Sequence, residues 1–213
     1  MMGNKVFSEV FDYRTLRFLV GLIAFSLPFV VTFIASTPLR SISASYHTEA
    51  QDIFVGMLFI VGSFLVAYNG HFLREAIASK VAGFSAIIVA LVPTTCPSCS
   101  ANINSIIHYA AAVLLFAILT YFCFGPFRRK VKSKGGKKGV RSKIYFICGA
   151  IMVLCMLAAL IGNLTLNDAA YHDLAITFWA EAIALNAFGV AWIVAGKYIP
   201  LTTEEEERVH LFG

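Results

Sequence analysis

The sequence predicts an all-α polytopic membrane protein, a single domain over residues 1–213 built as a six-transmembrane-helix bundle with both termini cytoplasmic. Three observations predict it. Six apolar stretches of spanning length lie at about 18–37, 53–69, 77–95, 103–124, 144–162 and 174–195. The composition is 59% hydrophobic and only 14% charged, with a mean hydropathy of +0.78, where a soluble domain of this size would expose far more charge. Finally, 16 of the 17 Lys and Arg fall on alternate connections between the stretches. Length is decisive because only a helix satisfies its own backbone hydrogen bonds in hydrocarbon, and about 20 residues cross it. The charge asymmetry orients the bundle, since cytoplasmic connections collect Lys and Arg. The net charge of +5 is thus a topology signal, and no nucleic-acid surface is read from it.

Lys5, Arg14 and Arg17 precede the first span, which has no small-residue cleavage pattern after it and reads as a signal anchor. The second span carries Gly56, Gly62, Ser63 and Ala67, small residues that permit close helix contact, as Gly149 and Ala150 do in the fifth. Arg74 and Lys80 separate the second span from the third. The third has an apolar core that ends at Pro93 and is short enough for a re-entrant loop; snorkelling by Lys80 favours a full span. After the fourth span, a basic cytoplasmic loop over 126–143 holds nine Lys and Arg. Its stretch from Ser133 to Gly139 reads as a flexible linker that attracts anionic lipid. Lys197 and Arg208 follow the sixth span, and the run Glu204-Glu205-Glu206-Glu207 reads as a solvated cytoplasmic end. Arg40 is the lone basic residue on the opposite side.

The three non-cytoplasmic segments, 38–52, 96–102 and 163–173, with the adjoining helix ends, gather Ser43, His47, Glu49, Asp52, Cys96, Cys99, His108, Asp168, His172 and Asp173. Glu181 sits about two turns inside the sixth span from the same end and shares a stripe with Asp173 and Thr177. A carboxylate inside a span costs on the order of 3 kcal/mol by insertion scales, so it faces a cavity or a partner. Glu181 therefore reads as an acid/base, a metal ligand or a binding-site anion, or else as a glutamic acid hydrogen-bonded to a neighbouring helix. His108 stands at the outer start of the fourth span with Asn104 one turn before it, either as a polar tip or as part of a site with His47, His172 and Asp52. Imidazoles and a carboxylate suit zinc with an open position for water, although the candidates come from separate helices and form no self-contained motif.

Cys96-Pro97-Ser98-Cys99 is an outward CxxC: a structural disulfide, free thiols, a redox pair or half a metal clip. Cys123, Cys148 and Cys155 lie within spans and read as buried apolar groups. Trp179, Trp192 and Tyr198 fit belt or core roles, and Asn163-Leu164-Thr165 is a glycosylation sequon on the outer side.

Ser43-Ala44-Ser45-Tyr46-His47, followed by Asp52 at the head of the next helix, resembles the SxxxH motif and following Asp of the CREST superfamily of transmembrane metal hydrolases, which takes in alkaline ceramidases, hemolysin III-like proteins and the progestin and adipoQ receptors. The resemblance covers about ten residues plus topology. It implies a zinc ion that activates water for amide hydrolysis, with Ser43, His47 and Asp52 as site members. Where the superfamily places HxxxH in its last helix, this chain has His172 before that helix and Glu181 within it.

These readings converge on a cell-membrane protein with an outward polar pocket. One expectation is a zinc-dependent hydrolase of lipid-like amides or esters, with His47, His108 and His172 as ligands, Asp52 and Ser43 beside them and Glu181 as acid/base. The second is binding, without catalysis, of a lipid headgroup or small polar ligand by the same cluster. The third is a redox protein working through Cys96 and Cys99.

Overall fold

The computed structural model describes residues 13–70, 72–95, 102–129, 131–132, 135–166 and 174–207. Its long helices are α1 (Tyr13–Ile34), α2 (Gln51–Ala67), α3 (Leu73–Leu91), α4 (Ile103–Phe124), α6 (Gly136–Thr165) and α7 (Ile176–Gly196). A single-turn α5 (Pro126–Arg129) extends α4, and 3-10 turns lie at Ser43–His47 and Glu205–Glu207. No strand occurs among the described residues. Four segments are long and apolar enough to cross a membrane: Tyr13–Ile34, Ile103–Arg129, Gly136–Thr165 and Ile176–Gly196. Helix α2 is apolar but has 17 residues, and α3 carries Arg74, Glu75 and Lys80 in its first eight positions.

The helices form a ring in which each packs on its sequence neighbours and α7 closes against α1. Short connections make successive helices antiparallel, so the bundle has two chemically distinct ends. One end holds the Ser43–His47 turn and the starts of α2, α4 and α7. The other holds the start of α1 and the basic residues of the α4–α6 connection. Inside, Tyr68, Phe122 and Trp192 anchor an apolar cluster toward the basic end, and Phe54, Leu58 and Leu185 anchor one toward the opposite end. Side chains from α1, α2, α4 and α7, among them Leu27, Leu58, Leu119 and Phe188, leave a central gap of about 10 Å³. That is room for at most about one water, so this gap holds no larger ligand.

Close helix crossings depend on glycine where backbone meets backbone. A Cβ on Gly21 would lie 2.6 Å from the Ile193 amide and 2.7 Å from the Gly189 carbonyl, locking α1 on α7. A Cβ on Gly83 would lie 2.6 Å from the Gly62 carbonyl, locking α3 on α2. Gly62 and Gly149 thus fill the packing role expected of them, whereas Gly56 does not: space is open around it.

Several boundaries differ from the sequence reading. Helix α3 is one continuous helix of 19 residues, about 28 Å long, with no re-entrant break. It ends at Leu91 because Pro93 forces Val92 into an extended conformation (φ −97°, ψ 118°). Helix α6 starts at Gly136, so residues 136–139 of the expected flexible linker are helical. The first turn is held by the C-terminal segment: Glu204 Oε1 accepts the Lys137 amide at 3.1 Å, and Lys137 Nζ donates to the Pro200 and Thr203 carbonyls at 2.9 and 3.2 Å. Nor is the acidic tail simply solvated, because Glu207 enters an ion-pair cluster described below.

Candidate functional site at the His47 end

The site begins with the turn Ser43–His47, which lies over the start of α7. Backbone amides at the start of any helical turn lack internal partners and accept an anion readily. Here Glu181 Oε2 takes both, from Ile42 at 2.6 Å and Ser43 at 3.1 Å. Ile42 is 2% exposed, so its amide has little access to water and the carboxylate is its replacement. Glu181 therefore reaches a partner across the bundle and pins the turn to α7. Ser43 is buried with it, and Ser45 Oγ donates back to the Ile42 carbonyl.

His47, at the far end of the turn, is exposed and donates from Nε2 to the Thr94 carbonyl at 2.8 Å. His108, one and a half turns into α4, is 1% exposed and donates from Nδ1 to the Val92 carbonyl at 2.7 Å. The extended segment created by Pro93 thus receives both imidazoles on carbonyls two residues apart. Thr94 Oγ1 also donates to the Tyr109 hydroxyl at 3.1 Å, which ties the segment to α4 a second time. The start of α4 is fixed by a reciprocal cap: the Asn102 side chain accepts the Ser105 amide at 3.0 Å, and Ser105 Oγ accepts the Asn102 amide at 2.9 Å.

Because a carbonyl accepts only, these bonds set the proton on Nε2 of His47 and on Nδ1 of His108. In the neutral rings the opposite nitrogens are left as lone pairs. Among the described residues, His108 Nε2 is buried with no hydrogen-bond partner.

Asp52 is exposed in the first turn of α2 and lines an open cleft of about 320 Å³ with Tyr46, Gln51, Val55, Gly56, Ala90 and Leu91. The polar groups stand at the rim, and the cleft descends between α2 and α3 over apolar side chains. Tyr46 and His47 are edge to face at 5.4 Å, so cleft and imidazole pair adjoin. Glu49 is also exposed, and its carboxyl is held below the usual carboxylate range by its own backbone amide and by Ser36, whose hydroxyl donates at 2.8 Å.

The structure therefore brings Glu181 to Ser43, and His47 to His108 through the Pro93 segment, while Asp52 opens the neighbouring cleft. Among the described residues, no group of three or more His, Cys, Asp or Glu is placed to hold a metal ion. His172, Asp168, Asp173, Cys96 and Cys99 lie outside the described residues. No family model, curated protein or solved structure matches this chain.

Sequence reasoning did not identify Val92 and Thr94, whose carbonyls receive the two imidazoles, and it read Gly56 as a helix contact where the structure places it on the cleft. Pro93 was the available signal, since it breaks a helix and frees carbonyls to accept. Asn186 was also overlooked. It lies inside α7, five residues beyond Glu181, with Nδ2 donating to the Ala182 carbonyl at 2.9 Å and Oδ1 buried without a partner among the described residues.

Proposed function

We propose that the chain is a six-span membrane protein with both termini in the cytoplasm, and that its outward cleft binds an amphiphile. The cleft between α2 and α3 carries this reading: Asp52, Gln51 and Tyr46 at the bundle rim lead onto Val55, Gly56, Ala90 and Leu91 along its flank. Such a gradient suits an amine- or hydroxyl-bearing headgroup above and a hydrocarbon chain below. Ligand sites commonly combine an apolar wall with a few polar groups that fix orientation. Orientation follows from the charge asymmetry, with Arg40 at the cleft end and 16 other Lys and Arg on the opposite connections. Helices α2 and α3 then cross as shorter members, with Lys80 and Arg74 reaching the interface.

Native mass spectrometry of the detergent-purified chain with phosphatidylethanolamine tests the headgroup assignment. Asp52→Asn is expected to weaken binding of this amine headgroup at least threefold while leaving the corresponding phosphatidylglycerol unaffected. Equal effects on both lipids would refute the role given to Asp52.

A second reading is favoured by one observation. Histidines that ligate metals almost always donate the other ring N–H to a carbonyl or carboxylate, and both His47 and His108 do so here. With His172 as third ligand, the pair would hold zinc at the water-facing end and supply the hydrolase chemistry that the CREST resemblance implies. Zinc content near one per chain, lost in His47→Ala and His108→Ala, would support this reading. Folded protein purified without chelator and lacking metal would remove it and leave amphiphile binding.

A further inference from the structure

The opposite, basic end of the bundle carries an unexpected cluster. The segment after α7 turns back across the ends of α1 and α6. Its turn starts at Lys197, the last-turn cap of α7, in the left-handed conformation (φ 65°) that side chains other than glycine seldom adopt. Lys197 is nonetheless placed there, with Nζ 3.1 Å from Glu207 Oε1. Arg141 of α6 donates from Nη2 to Glu207 Oε2 at 2.7 Å, and Lys138 Nζ stands 3.8 Å from Oε1. Arg14 of α1 donates from Nη1 to the Glu207 carbonyl at 3.2 Å. Three cationic side chains thus surround one carboxylate and leave a positive surplus.

Donor arithmetic separates this cluster from an ordinary surface ion pair. Arg141 is 1% exposed, and its Nη1 is buried with no partner among the described residues. Glu207 does not reach that nitrogen: its Oε2 accepts from Arg141 Nη2, while its Oε1 faces the two lysines. A phosphate group presents a further acceptor oxygen and suits the guanidinium fork. The position also fits, because basic residues at the cytoplasmic edge of a bundle are where anionic headgroups collect.

We propose that this cluster is a phosphate-binding site whose resident occupant is the chain's own Glu207, so that the C-terminal segment and an incoming phosphate group compete for it. The carboxylate is a tethered stand-in that keeps Arg141 compensated while the site is unoccupied. Displacement would release residues 197–207 from α6 and free the first turn that Glu204 and Lys137 hold together. Glu207 is 23% exposed at its side chain, so the exchange requires no opening of the bundle.

The test uses the full chain in neutral detergent with two probes, dioleoylphosphatidic acid followed by native mass spectrometry and inorganic phosphate followed by ³¹P NMR. Glu207→Gln is expected to bind phosphatidic acid at least tenfold more tightly than wild type, and Lys138→Met with Lys197→Met in that background should cancel the gain. Glu206→Gln makes the same change in net charge at an exposed neighbour and is expected to leave binding unchanged. A gain with phosphatidic acid alone identifies a lipid ligand, and a gain with both probes identifies the phosphate group itself. Equal gains for Glu206→Gln and Glu207→Gln, or no gain for either, would overturn the proposal.

Discussion

At the scale of single residues, Glu181 and His108 show how an intramembrane polar group is accommodated. Glu181 accepts two amides at the head of a turn that begins 138 positions earlier in the chain. Removing a partner from a buried donor costs about 1–3 kcal/mol, roughly twice a typical hydrogen bond's net worth. Glu181→Ala is therefore expected to destabilise the bundle by about 2–4 kcal/mol in a reversible unfolding assay. Glu181→Gln keeps an acceptor oxygen and should cost about 1 kcal/mol. A Gln variant as unstable as the Ala variant would contradict the capping role. The sequence pointed to Glu181 because a carboxylate in a span needs a partner, but that partner could not be read from it. Backbone amides and carbonyls carry no sequence signature, and both histidines also end on carbonyls.

At the scale of elements, apolar length and glycine position tell most of the story. The long helices were legible because hydrocarbon enforces both apolarity and length, and their ends follow recognisable breakers such as Pro93. The start of α6 was not legible, because its first turn depends on Glu204, which lies 67 residues away in sequence. Glycine roles were legible only in part. Gly56 and Gly62 share a helix, yet only Gly62 meets a neighbouring backbone. Gly21→Ala and Gly83→Ala must each push a helix outward, at about 1–3 kcal/mol for overpacking. Both are expected to lower the melting temperature of the detergent-solubilised chain, whereas Gly56→Ala leaves it unchanged within error. A Gly56→Ala loss as large as that of Gly83→Ala would contradict the open cleft.

At the scale of the whole molecule, the ring has one end that presents a cleft and the His47 imidazole and another that is closed by an ion-paired strap. Burial alone would push the Glu207 carboxyl up, but hydrogen bonds from Arg141 and Lys197 outweigh it and hold the group at about 2. An ordinary glutamate titrates near about 4.3, so the folded value is depressed. The strap's stabilisation is then complete above about pH 4.3 and is lost as pH falls through about 2. Pepsin digestion in detergent is expected to spare residues 197–207 at pH 4 and to cleave there at pH 2; equal cleavage at both would contradict the ion-pair account. The proposed orientation puts the two ends on opposite sides of the membrane. In a cysteine-free background, Arg40→Cys should react with an impermeant maleimide on intact cells and Lys132→Cys should not. The central claim is that the α2–α3 cleft holds an amphiphile, and its most direct test is native mass spectrometry of gently purified wild type beside Gly56→Leu. The account predicts a retained lipid-sized adduct on wild type that falls at least tenfold in the variant, at unchanged thermal stability. An adduct equally abundant on both would contradict it.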